Sequence, residues 1–275
     1  MSGEREEKAQ TFWDHLDELR RVFFRILFVV LGFMILAFIG KDTLFNFILA
    51  PQKSDFVLYR FICYLSQVFS FPSLCPGEFH IELINTQLAS QFLVHMKVSF
   101  YAGILVASPY IIYQLFRFVS PALYEKEKKY SGRVIFYSAL LFLLGICLNY
   151  FIIFPLSFRF LGTYQVSADI PNIINLSSYI DTLMMLSLML GIMAELPVLS
   201  WLFAKLGFIN AGFMKKYRKH AIIILLILAA VITPTADIFT LLLVFFPIYL
   251  LYELSIVIVR KSQIPPIEAA PAEDR

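Results

Sequence analysis

Charge is what this 275-residue sequence has least of. Only 16% of its residues are Asp, Glu, Lys or Arg, against 59% that are hydrophobic, and the mean hydropathy is +0.75. A soluble domain so composed would leave far too much apolar surface in water, so the composition excludes one. The apolar residues come in runs and lack period-2 alternation, which excludes an outer-membrane barrel and leaves a helical bundle. Four histidines, His15, His80, His95 and His220, lie in separate segments without ligand spacing. Cys63, Cys75 and Cys147 form no paired C-x-x-C, and there is no H-E-x-x-H and no Gly-rich phosphate loop. Metal and cofactor chemistry therefore have no anchor, and without a nucleophile and base pair no enzyme is expected. The net charge of +3 is not gathered into a basic patch for nucleic acid. No half of the chain repeats the other, forward or inverted, as many secondary transporters do.

What is present is a series of apolar runs separated by charged islands. The most informative island runs from Phe116 to Arg133 and holds Arg117, Glu125, Lys126, Glu127, Lys128, Lys129 and Arg133. Phe92 to Leu115 precedes it and Val134 to Phe154 follows, each long enough to cross a hydrocarbon core of roughly 30 Å at ~1.5 Å per residue. Its positive charges place this tight loop on the cytoplasmic side. The other spans are Val22 to Ile39, about Tyr179 to Ala204, Ala221 to Ile232 and Ile238 to Val259. With both termini inside, 18 of the 23 Lys and Arg residues fall on the inner side. Six spans with both ends cytoplasmic is the topology this bias predicts.

Further expectations follow along the chain. Residues 11 to 25 alternate Phe12, Leu16, Leu19 and Phe23 with charged positions, an amphipathic helix that continues into span one. Residues 1–21 are thus a cytoplasmic segment, 22–259 the membrane domain and 260–275 a polar, Pro-rich tail without a core to fold on. The segment Gly40 to Ala89 is an external cap with short helices, in which Cys63 and Cys75 are either bridged or two free thiols. Pro109 predicts a kink in span two, and span three is expected to end at Phe154-Pro155. Even from Tyr217 the fifth run covers only about 24 Å, so spans five and six form a short hairpin around Thr233 to Asp237 that implies a thinned bilayer.

Few residues in such a chain carry candidate chemistry. Glu195 reads as the only acid well inside a span, ten residues before Lys205 and ~15 Å deep. Ser187, Gly191 and Glu195 share a helix face, so the glutamate is expected to look into a polar-lined concavity, or else to satisfy a neighbouring helix. Span three carries a stripe of Ser138, Gly145 and Asn149. In the island, Glu125 can pair with Lys128 and Lys129, while Glu127 has only Tyr130 and Ser131 at helical spacing. That leaves a carboxylate either solvated or available to an external cation, with Phe118 and Tyr124 nearby for aromatic contact. Glu18 is similarly open, having only Arg21 at i+3. Asp237 most simply caps the N-terminus of span six, and Pro51 and Pro121 punctuate loops.

Taken in order, His15-Leu-Asp-Glu-Leu-Arg20, Ser108-Pro-Tyr-Ile-Ile-Tyr-Gln114, Phe118-Val-Ser-Pro-Ala-Leu-Tyr-Glu-Lys-Glu127, Tyr150-Phe-Ile-Ile-Phe-Pro155, Glu195-Leu-Pro197 and Thr233-Pro234 form a recognisable set. The chain resembles the TatC family, the multispanning receptor subunits of the twin-arginine protein translocase, over roughly residues 11 to 259. The resemblance implies an all-α polytopic protein, six transmembrane helices in a concave, glove-like bundle, that binds twin-arginine signal peptides of folded cargo at its cytoplasmic face. It implies signal-peptide contacts for Glu18, Arg20, Phe118 and Glu127, an intramembrane role for Glu195, and structural or partner contacts for Pro51, Pro121 and Asp237. Implied partners are TatA-like and TatB-like single-span subunits in a larger, homo-oligomeric complex within the cytoplasmic (inner) membrane. The pattern departs from the family at Thr233-Pro-Thr-Ala-Asp237, where Thr-Pro-Pro-Asp is usual, and at Leu241, where a polar residue is common. The competing reading is a secondary transporter with Glu195 as its proton or substrate site.

Overall fold

The computed structural model describes residues 12–69, 75, 77, 79, 81–119, 131–167, 169, 172–233 and 237–262. The long apolar runs all become helices, because a segment without water must satisfy its own backbone and a helix does so internally. In chain order the crossing helices are α1 (Phe12–Ile39), α4 (Ser90–Val119), α5 with α6 (Ser131–Leu148 and Phe154–Thr163), α7 with α8 (Leu176–Met193 and Leu196–Lys205), α10 (Arg218–Ile232) and α11 (Ile238–Ser262). Among the described residues, five of these units are long and apolar enough to cross a membrane by themselves. The sixth, α10, has 15 residues and reaches only about 22 Å.

The expected short hairpin is therefore met by α10 alone. Its partner α11 runs 25 residues, about 37 Å, because helix continues through Pro247 and past the apolar run into Arg260 and Lys261. Those two basic residues belong to the helix and not to the tail. The start of span one is helical from Phe12 onward, as α1 is one helix over Phe12–Ile39.

Two prolines lie inside helical runs, and the second departs from expectation. Helix α4 continues through Pro109. Pro109 has no N–H for the Leu105 carbonyl, and the Ser108 hydroxyl donates to that carbonyl instead at 2.7 Å. Span three does not end at Pro155 but continues to Thr163, since the chain takes a wider π-turn over Asn149–Ile153 and Pro155 falls in the first turn of the next helix, where no N–H is required.

Between α1 and α4 lies a cap built from α2 (Lys41–Ile48), a 3₁₀ turn (Ala50–Gln52) and α3 (Val57–Val68). Three tyrosine hydroxyls bind the cap to the spans by donating to carbonyl oxygens: Tyr59 to Pro155 at 2.7 Å, Tyr150 to Phe47 at 2.6 Å and Tyr179 to Ile48 at 2.8 Å. Arg159 lies over the rings of Tyr59 and Phe79. A two-residue parallel ladder joins β1 (Leu83–Ile84) to β2 (Ile174–Asn175), a pairing that no alternation in the sequence announces. Cys63 and Cys75 are disulfide-bonded, which decides the alternative the sequence left open. At the far end a short α9 (Ala211–Lys216), capped by Asn210, leads into α10.

Candidate functional site

Two places hold the candidate residues, one at the end of the bundle where α1 begins and α4 ends, the other midway along the spans. Helix α1 contributes Asp17, Glu18, Arg21, Val22 and Arg25 to the first, and α4 contributes Gln114, Arg117 and Phe118; together they line a recess of about 450 Å³. The helical period explains the grouping, since residues 18, 21, 22 and 25 share a face of α1 and residues 114, 117 and 118 a face of α4. The two helices pack tightly enough that a Cβ on Gly103 would lie 2.8 Å from the Val30 carbonyl oxygen. Gln114 is buried and its Nε2 donates to the Tyr110 hydroxyl at 2.6 Å, while its Oε1 has no hydrogen-bond partner among the described residues.

The recess thus holds Glu18 and Phe118 together, although they are a hundred residues apart in sequence. Arg20 does not line it; that side chain is exposed, with its guanidinium 5.9 Å from the centre of the Phe24 ring. Pro51 is buried in the 3₁₀ turn at the opposite end of the bundle. Glu127 and Pro121 lie outside the described residues. Sequence reasoning used Arg25 and Arg117 for topology and Arg21 also as a neighbour of Glu18, and it quoted Gln114 only within a motif, with no role of its own. Its polarity one turn before Phe118, at the end of an apolar span, was the available signal.

The second place is built by spans three and four, whose small and polar stripes interlock. The Ser138 hydroxyl donates to Glu195 Oε2. Gly145 lies against Gly191, Leu190 and Ala194 so closely that an added Cβ would sit 2.6 Å from the Leu190 carbonyl oxygen. Asn149 Nδ2 donates to Ser187 Oγ at 2.8 Å. Residues 138, 145 and 149 climb one helix as 195, 191 and 187 descend the other, so each polar pair finds its partner and glycine permits the approach between them. Glu195 itself sits at the break between α7 and α8, just before Pro197, and makes no side-chain cap bond there.

Glu195 also borders a concavity of about 420 Å³ with Ile104, Ser108, Ile112, Phe116, Phe142 and Leu199 among its walls. Of the two alternatives the sequence left for Glu195, the neighbouring helix is met through Ser138, while the concavity beside it is almost wholly apolar: Ser108, Ser138 and Glu195 are its polar residues. The polar face of span four is consumed against span three, and what remains open is hydrocarbon-like. One Glu195 oxygen, Oε1, has no hydrogen-bond partner among the described residues.

Nor is Glu195 the sole intramembrane acid. Glu253 lies in α11 seven residues before Arg260, ~10 Å from that end, inside the run that the sequence marks as span six. Its Oε2 accepts from Arg218 at 2.8 Å and its Oε1 from the Tyr249 hydroxyl at 2.9 Å. Toward the cap, Lys97 of α4 and Asp181 of α7 form an ion pair at 2.8 Å, both about half exposed. Asp237 does what its position suggested, accepting from Thr240 N at 2.6 Å at the start of α11.

Comparison with known proteins bears on this arrangement. The sequence model of the family described as "Sec-independent protein translocase protein (TatC)" matches residues 14–247. A protein of Blattabacterium sp. subsp. Periplaneta americana (strain BPLAN) named Sec-independent protein translocase protein TatC is 36% identical over 256 residues, covering 92% of this chain and 96% of that one. Bacillus subtilis (strain 168) has a relative named TatCy, 33% identical over 245 residues, 89% of this chain and 87% of that one. Among solved structures, one described as the twin arginine translocase receptor TatC superposes with a TM-score of 0.71 at 30% identity, covering 90% of this chain and 99% of that chain.

Proposed function

This chain belongs to the TatC family of Sec-independent protein translocase proteins, and we propose that its basic-end recess is where the twin-arginine signal peptide of a folded cargo protein binds before export. Family membership makes it a non-enzymatic, multi-pass component of a translocase that works with other subunits. The secondary-transporter reading of Glu195 falls with that membership.

One observation carries the site assignment: α1 and α4 bring Glu18 and Phe118 into the same recess. Three arginines and two acids line it, a balance that repels an arginine pair unless further carboxylate is supplied. Glu127 can supply it. It follows Phe118 by nine residues, within a chain reach of up to ~30 Å. A guanidinium presents a planar fork that a carboxylate takes bidentately, whereas an ammonium does not, so two carboxylates discriminate arginine from lysine. The aromatic ring of Phe118 adds a face for a guanidinium or an apolar neighbour.

The topology in this reading is six spans in the cytoplasmic (inner) membrane with both termini cytoplasmic. The bias of 18 positives among 23 supports it, and the Cys63–Cys75 bond suits an opposite face in an oxidising compartment. The small subunits would be TatA-like and TatB-like single-span proteins, assembling with several copies of this chain, and Glu195, with one oxygen turned from its partner Ser138, offers a polar residue on such a helix a hydrogen bond. In a membrane that is worth about 0.6 to 2 kcal/mol, enough to bias docking but not to hold a complex.

The test is binding of a labelled twin-arginine peptide to the detergent-purified protein. Glu18→Ala and Glu127→Ala should each weaken it by ~tenfold or more, since a hydrogen bond to a charged group is worth about 1.5 to 3 kcal/mol. A twin-lysine peptide should bind more weakly, and salt should weaken both. Unchanged affinity in both variants would overturn the assignment.

A further inference from the structure

A second charged recess lies on the other side of the bundle, where α10 begins and α11 ends. Lys215, Arg218, Arg260 and Lys261 surround a space of about 520 Å³, with Glu253 as the one acid in its lining. That carboxylate is already engaged at both oxygens, by Arg218 and by Tyr249. Lys215, Arg260 and Lys261 form no ion pair with another described residue. Four positive charges against one negative, at the edge of a low-dielectric slab, repel one another and are stabilised by a bound anion.

The lower part of the recess indicates which anion. Ile256 and Val257 line it beside the cations. From there Val257, Leu254 and Leu250, at helical spacing and 49%, 44% and 51% exposed, continue along α11 toward the middle of the span. A cationic recess set directly on an exposed apolar stripe matches a molecule with a phosphate at one end and hydrocarbon at the other. A free phosphate would use only the upper half.

We propose that this recess binds the phosphodiester headgroup of an anionic phospholipid, with an acyl chain lying along Leu250, Leu254 and Val257. The lipid bridges α9, α10 and α11, so it fastens the end of the bundle where the short α10 begins to the membrane surface. The site is separate from the signal-peptide recess and does not depend on that assignment.

Native mass spectrometry of the full-length protein tests this, with phosphatidylglycerol or phosphatidylcholine of identical acyl chains added to the detergent. The wild-type protein should retain phosphatidylglycerol preferentially. The Lys215→Gln, Arg260→Gln, Lys261→Gln variant should lose that preference by ~fivefold per cation removed; Arg218 is kept because its bond to Glu253 ties α10 to α11. Equal retention of the two lipids by the wild type, or the same preference in the variant, would overturn the proposal. Inorganic phosphate at millimolar concentration should displace little lipid; full displacement would reassign the recess to a soluble anion. Should the variant prove poorly folded, the wild-type preference must still fall as ionic strength rises, and indifference to salt would be equally fatal.

Discussion

Gly145→Ala should separate spans three and four, and the structure sets the size of the effect. The new Cβ would lie 2.6 Å from the Leu190 carbonyl oxygen, 2.9 Å from the Ala194 Cβ and 3.0 Å from the Gly191 Cα, about 0.8 Å short of an ordinary 3.4 Å contact at the tightest point. Two of these neighbours are backbone atoms that cannot rotate aside, so the helices must part. A displacement of that order would take Asn149 Nδ2 and Ser187 Oγ, now 2.8 Å apart, to the limit of hydrogen bonding, and would loosen Ser138 from Glu195. Overpacking costs about 1 to 3 kcal/mol, and each weakened bond in the membrane adds about 0.6 kcal/mol. Alanine returns up to ~1 kcal/mol of helix propensity. The net loss is then about 1 to 3 kcal/mol, or several degrees in a thermal-unfolding scan of the detergent-purified protein at ~2–4 °C per kcal/mol. Gly32→Ala is the control, because nothing lies within 4 Å of a Cβ there and the same propensity gain applies. A Gly145→Ala protein melting within a degree of wild type, or a Gly32→Ala protein falling as far, would refute the reasoning.

The remaining predictions concern two acids. Glu195→Gln keeps an acceptor for Ser138 and should retain much of the export activity, whereas Glu195→Ala should lose recruitment of a small single-span subunit with signal-peptide binding preserved; equal losses in export would show that ionisation is required. Asp237→Ala removes the oxygen that caps Thr240 N and should cost about 0.5 to 2 kcal/mol in unfolding. Asp237→Asn, which keeps a cap acceptor, should cost far less, and identical melting of the two would deny the cap its role.

Single helices were legible from the chain alone. Runs of about twenty apolar residues have one solution in a bilayer, and the basic islands between them set the expected topology; the shortness of α10 could be counted off the sequence. Periodicity also placed Ser187, Gly191 and Glu195 on one face and Ser138, Gly145 and Asn149 on another, because helical spacing is a local property. It placed Asp237 at a cap for the same reason.

What lay opposite each face was decided only by tertiary packing. Glu195 was expected either to look into a polar-lined concavity or to satisfy a neighbouring helix; the polar stripes of spans three and four meet each other and the concavity is left apolar, since an unpaired polar group in hydrocarbon costs more than a paired one. Glu253 escaped notice because its partners are Arg218, 35 residues earlier, and Tyr249, whose neighbouring residues look like ordinary span. Pro109 and Pro155 could not announce that a serine hydroxyl and a π-turn would carry helix past them. The juxtaposition of Glu18 with Phe118 is of the same kind: composition and spacing determine what each helix is, while the close packing of α1 on α4 determines which side chains share one recess.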